Sequence, residues 1–142
     1  MTRPGPASAA LDFAQRARSL PASTIGRPGP ERDDLTRRIL TGVKTATTSL
    51  LADYAAEQEP LPTVGALYRL VDSADAAIAI IEVTRVRLRS FDDVDAHHAH
   101  AEGEGLDTVA AWRDAHLSVW PEATAATELV LEEFRVVARA PR

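Results

Sequence analysis

The sequence predicts an α+β fold: a small β-barrel or strongly curved, mostly antiparallel sheet with helices around it. Three observations lead there. The segments run helices, strands, helices, strand, rather than alternating strand and helix as a parallel sheet would need. The stretch from about 76 to 89, AAIAIIEVTRVRLR, is rich in Ile, Val and Thr and reads as one long strand. The run ELVLEEFRVV at 128–137 carries apolar residues on both faces, as a central strand does.

The other elements follow in order. Residues 1–7 are rich in Pro and Gly and read as a flexible N-terminus, with one domain over 8–137 and a short tail over 138–142. Residues 8–20 suit a helix with Leu11, Phe13, Ala14, Ala17 and Leu20 on its apolar side, and PASTIGRPGP at 21–30 reads as a loop. Pro30 then fits a first helical turn, with Glu31, Asp33 and Asp34 near its positive end. Leu35, Ile39 and Val43 recur every fourth residue, and Gly42 is a natural stop. Ser49 is positioned to cap a short helix through Leu50, Leu51 and Tyr54. A strand is expected near 65–72, and the irregular alternation after Ile80 predicts a bulge in the long strand. Ser90-Phe91-Asp92-Asp93 fits a capping box for a helix over about 91–101, broken by Gly103 and Gly105. Asp107 or Thr108 caps a last helix carrying Trp112, His116 and Trp120 on one side, and Pro121 ends it.

The 142 residues suffice for one domain with a real core. Without cysteine there is no disulfide, thiol nucleophile or cysteine-based metal site. The N-terminal stretch lacks the apolar run of a signal peptide, and no segment has the ~20 apolar residues of a membrane span. The expectation is a cytoplasmic protein without a membrane partner, as monomer or homodimer. A net charge of −5 suits a small, nearly neutral ligand better than long nucleic acid.

The segment GVKTATTSL at 42–50 sets one amine beside four hydroxyls. Lys44 buried beside a carbonyl would stabilise an oxyanion or, desolvated, serve as a base; near a helix C-terminus it would simply answer the dipole. Thr47 shares a site with Lys44 only if the chain turns or bulges between them, since i and i+3 in a strand point to opposite faces. Thr45, Thr48 and Ser49 read either as ligand-binding hydroxyls or as capping and strand residues. His97 and His100 lie on one helix side, but no HExxH spacing exists and no metal site is expected. Glu102, at the junction of that helix and a glycine turn, is either a general acid–base group or a surface charge. Trp112, with His116, forms either core or an aromatic wall for a flat base.

These residues resemble a known family. Gly42, Lys44 and Thr47 match the GxKxxT signature of ASCH domains, and ATTSLL, PLPTVG, IIEVTRV, SFDDVDAHHAHAEGEG, WRDAH and LVLEEFRVV are similar, in order, to the longer bacterial members. The resemblance covers roughly 8–137. It implies a PUA-like fold with a polar cleft at the GxKxxT segment. Some small members are amidohydrolases that release cytidine from N4-acylated cytidines with a lysine, a threonine and a glutamate. By resemblance these are Lys44, Thr47 and Glu102, the last in a HAxxE run; Gly42, Thr45, Thr48, Ser49, Trp112 and His116 would bind substrate, and no cofactor is called for. Other members act on or bind single-stranded RNA, which would need a basic track such as Arg37, Arg38, Arg85, Arg87 and Arg89. Where longer members often carry aromatic-Gly-Asp near the first loop, this chain has Ile25-Gly26-Arg27.

Overall fold

The computed structural model describes residues 5–141, so the predicted flexible N-terminus lies partly outside it. Its order is α1 (Pro6–Arg18), β1 (Ala22–Ser23), α2 (Pro30–Leu40), β2 (Ala46–Leu50), α3 (Leu51–Ala56), β3 (Leu67–Val71), β4 (Ala77–Ser90), a 3₁₀ turn (Phe91–Asp93), α4 (Ala96–Ala101), α5 (Val109–Val119) and β5 (Glu128–Arg139). The five strands form one mixed sheet in the order β1-β3-β4-β5-β2. All pairings are antiparallel except the short β1–β3 contact. The sheet curves but does not close, and β1 and β2 are its edges.

The long strand β4 shifts register between Ile80 and Ile81 and again between Val83 and Arg85. Such irregularities raise the local twist, which curls the sheet towards a barrel. Apolar residues on the two faces then meet different neighbours. Leu70, Ile81 and Phe134 pack with Ile39 of α2 on the inner face. Leu129 and Leu131 pack with Phe91, Ala99 and Trp112 under α4 and α5. Phe13 and Ala17 of α1 cover Ile80.

Several local expectations differ from the outcome. Residues 22–23 inside the predicted loop pair with β3, a contact too short to leave a periodic signal. The helix expected over 91–101 splits in two. Ser90 Oγ turns to Asp93 Oδ2 at 2.9 Å, while Asp95 caps α4 by accepting from the His98 amide at 2.8 Å. Ser49 stays in β2, and Leu50 occupies the N-cap of α3 with no side-chain bond. Thr108, rather than Asp107, caps α5 by accepting from the Ala111 amide.

Candidate functional site

Alternation along β2 divides the polar segment between two environments. Ala46 and Thr48 face α4 and α5, whereas Thr47 and Ser49 face the inner side of the curved sheet. Lys44 precedes the strand. Gly42, at φ 82°, terminates α2 in a left-handed turn and delivers Lys44 inward. Gly103 makes the next contact feasible. It has φ 65°, and a Cβ there would stand 2.2 Å from the Val43 carbonyl oxygen. The 102–104 turn thus lies directly on Lys44.

Lys44 is 1% exposed. Its ammonium donates to Ala46 O at 2.8 Å, Glu102 O at 3.2 Å and Glu104 Oε2 at 3.0 Å. An ammonium has three protons, and here each has an acceptor. Glu102 Oε1 stands 4.0 Å away. Thr45, also expected to bind substrate, instead ties the same turn down, bonding Ala101 O through its amide at 2.8 Å.

Glu102 is the hub of a buried polar knot. Its Oε2 accepts from Thr48 Oγ1 at 3.1 Å and from the Trp112 indole N–H. Its Oε1 faces His116 Nε2 at 3.6 Å. Burial alone would raise this carboxyl, yet His116, His98 and the Lys44 charge together hold it well below the usual carboxylate range. His98 is fully buried, with Nε2 2.7 Å from Thr48 Oγ1 and Nδ1 without a partner. A proton on Nε2 leaves only a lone pair unanswered, so the chain runs His98 N–H to Thr48 O–H to Glu102. For His116, burial opposes charge, but Glu102 overrides it and raises its pKa. Its Nδ1–H donates to Trp112 O at 2.8 Å, and its ring stacks on Trp112 at 4.0 Å. Trp112 itself has no exposed surface, so it is core and not a wall for a ligand.

On the other face of β2 lies a cavity of about 450 Å³. Both sheet edges reach it, β1 at Ala22–Ser23 and β2 at Thr47–Ser49. Tyr54, Tyr68, Pro60 and Pro62 add flat surfaces, and Ile25 and Gly26 close one end. The buried Arg32 fixes that end by donating to Gly26 O at 3.2 and 3.1 Å. Arg27 is exposed and pairs with Glu31 at 3.5 Å. The charged groups lining the cavity are Asp53, Glu57, Glu59 and Glu132; no lysine or arginine is among them. Glu132 is the direct partner of Thr47 across the β2–β5 ladder. Burial pushes its carboxyl upward, and no cation offsets that push.

Of the three predicted catalytic residues, then, the structure brings Lys44 and Glu102 together and sets Thr47 on the opposite face of the strand. Of the predicted binding residues, Thr48 and His116 join Glu102, Thr48 and Ser49 line the cavity, and Gly42 shapes the turn. Glu132, Tyr54 and Tyr68 were not singled out from sequence. Glu132 is placed by the β2–β5 register and Tyr68 by the β3–β4 register, while Tyr54 comes from α3, and no local pattern reveals that they meet. No group of metal-ligating side chains occurs among the described residues, and His97 and His100 lie exposed beside Glu133 and Asp107.

The ASCH domain model matches residues 22–138, from the start of β1 to the penultimate residue of β5. The chain belongs to the ASCH domain family. An ASCH domain crystal structure from Lactobacillus crispatus JV V101 superposes with a TM-score of 0.77 at 28% identity, covering 94% of this chain and 89% of that one. Protein EF3133 from Enterococcus faecalis V583 does so with a TM-score of 0.77 at 25% identity, over 93% and 87%. No curated protein gives a significant match. The open, curved sheet is thus the PUA-like α+β architecture of ASCH domains. No helix among the described residues is long and apolar enough to cross a membrane.

Proposed function

We propose that this ASCH domain is an amidohydrolase for N4-acylated cytidine or a related small nucleoside amide, releasing the nucleoside and a carboxylic acid. The observation that carries the proposal is the cavity at the sheet edges. It offers a hydroxyl, Thr47, on a wall with two tyrosines and a volume suited to one small ligand. Its carboxylates and lack of cations favour an uncharged base over a phosphate.

Thr47 meets the acyl carbonyl in this reading. Lys44 and Glu102 act from behind the strand as positioning residues. The Lys44 ammonium clamps the 102–104 turn to Ala46 O, one residue before Thr47, and Glu102 anchors Thr48, one residue after it. Together they fix the backbone that presents Thr47 to the cavity.

The ASCH family is thought to bind RNA, and single-stranded RNA is the second ligand class to weigh. Four of the five arginines offered as a basic track are already paired. Arg37 and Arg38 share Asp34, Arg85 meets Glu133 at 3.4 Å, and Arg87 meets Asp95 at 3.2 Å. Phosphates would have to displace those carboxylates. Nucleoside chemistry is therefore favoured.

Incubation of the purified protein with N4-acetylcytidine, followed by chromatography, is expected to yield cytidine, and Thr47→Ala is expected to abolish the product. No cytidine from the wild-type protein, or undiminished turnover by Thr47→Ala, contradicts the proposal. An RNA gel shift that weakens steeply with salt would favour the alternative.

A further inference from the structure

We infer that Glu132 is a further catalytic residue of this cleft, exchanging a proton with the Thr47 hydroxyl and with the departing nitrogen. The inference rests on the hydrolase reading and supplies what that reading lacks, a base on the same face as the nucleophile. A threonine hydroxyl is a weak nucleophile until a neighbouring group takes its proton.

The register provides that neighbour. Thr47 and Glu132 are opposed residues on adjacent antiparallel strands and line the same cavity. Side chains of such a pair leave the sheet on one face with Cβ atoms roughly 5 Å apart. The next residue, Glu133, faces the other way, where Arg85 holds it at 3.4 Å. Glu132 has no comparable tie. Tyr54 from α3 and Tyr68 from β3 face it, with Asp53, Glu57 and Glu59 further round the wall, and none of these is a cation. Such surroundings disfavour a bare carboxylate, so the group is poised to hold a proton and to release it. The other two candidates are committed elsewhere. All three protons of Lys44 are donated to oxygens, and Glu102 lies beyond the strand with donors on its carboxylate.

The steps balance. Thr47 Oγ1 attacks the acyl carbonyl carbon, and its proton passes to a Glu132 oxygen. The C–N bond breaks as Glu132 hands that proton to the leaving amino nitrogen, giving the free base and an acyl–Thr47 ester. Water then attacks the ester carbonyl and gives a proton to Glu132. The C–O bond to Thr47 breaks as the proton returns to Oγ1, and a carboxylic acid leaves.

The test uses p-nitrophenyl acetate, an activated acetyl donor that requires no nucleoside recognition. Acetylation is followed by nitrophenolate release and located by peptide mass spectrometry. Wild-type protein should acquire the acetyl group on Thr47, at a rate rising with pH through one ionisation raised from the ordinary 4.5. Glu132→Gln should slow acylation by about 100-fold or more without lowering Tm. Formate should restore part of the rate to Glu132→Ala, an effect that a purely structural role would not produce. Absence of acetyl on wild-type Thr47, or equal rates in wild type and Glu132→Gln, overturns the inference. If Thr47 is acetylated through Glu132 while N4-acetylcytidine stays intact, Glu132 keeps its role and the substrate assignment falls.

Discussion

Thr47 and Thr48 are adjacent, chemically identical and set in one strand, yet they meet opposite surroundings. Thr48, half-buried at the rim of the cavity, bonds through its hydroxyl to His98 and Glu102 on the far side of the strand. Thr47 looks into an open cavity beside Glu132. The two carboxylates differ in the same way. Glu102 is ringed by donors and cations, which hold it ionised despite burial. Glu132 is desolvated without compensation, which pushes it the other way. What separates the structural carboxylate from the one proposed to be reactive is the supply of donors, more than depth. A fully answered anion is stable and inert, whereas an unanswered one moves protons easily.

The largest expected effect comes from breaking the knot. Glu102→Ala removes the anion facing Lys44 and leaves the Thr48 and Trp112 donors buried without their acceptor. Losing one partner of a buried pair costs about 3–5 kcal/mol, so urea denaturation should show a loss of that order. A loss below about 1 kcal/mol would mean that the knot holds little together.

Its pH dependence should be two-sided. Glu102 is depressed from 4.5, so its contribution is present above that value and is lost as pH falls below it towards the folded-state value. His116 is raised from 6.5, so its contribution is present below that value and is lost as pH rises through the folded-state one. Stability against thermal unfolding from this pair should therefore be greatest between about pH 4.5 and 6.5. Glu102→Gln should flatten both limbs relative to wild type. Limbs unchanged in that variant would place the titrating groups elsewhere.

Glu132→Gln should act in the opposite direction and more weakly. Its carboxyl is raised, so ionisation opposes the fold as pH climbs above 4.5. At neutral pH the neutral amide should stabilise by about 1 kcal/mol or less, and the gain should vanish in acid. A destabilised variant at pH 7 would show that Glu132 has a structural donor.

The fold was legible because periodicity and punctuation agree with it. The 76–89 run is almost wholly β4, and Gly42 ends the turn that follows α2. The closed half of the site was partly legible too. Lys44 and Glu102 were singled out from the GxKxxT and HAxxE runs, and they do meet, because the Gly103 turn brings sequence-distant backbone into contact. The open half was not. Glu132 is one of two adjacent glutamates, and only the β2–β5 register decides which one faces the cavity. The aromatic wall was misplaced for a similar reason. The 3.6-residue stripe of Trp112 and His116 shows which residues share a helix face, but not that this face is sealed by β5 and α4. Tyr54 and Tyr68, the aromatics at the cavity, lie on two different elements and form no stripe.

The most direct test compares Thr47→Val with Thr48→Val, two near-isosteric changes one residue apart, by measuring deacylation of N4-acetylcytidine and urea stability on both. Thr47→Val is expected to lose turnover by about 100-fold or more and to keep its stability within about 0.5 kcal/mol. Thr48→Val should instead lose about 1–3 kcal/mol of stability, and through the lost Glu102 anchor it should lower turnover far less than Thr47→Val does. The reverse pattern, with Thr48 needed for turnover and Thr47 for stability, would contradict the division of β2 into a structural face and a chemical one.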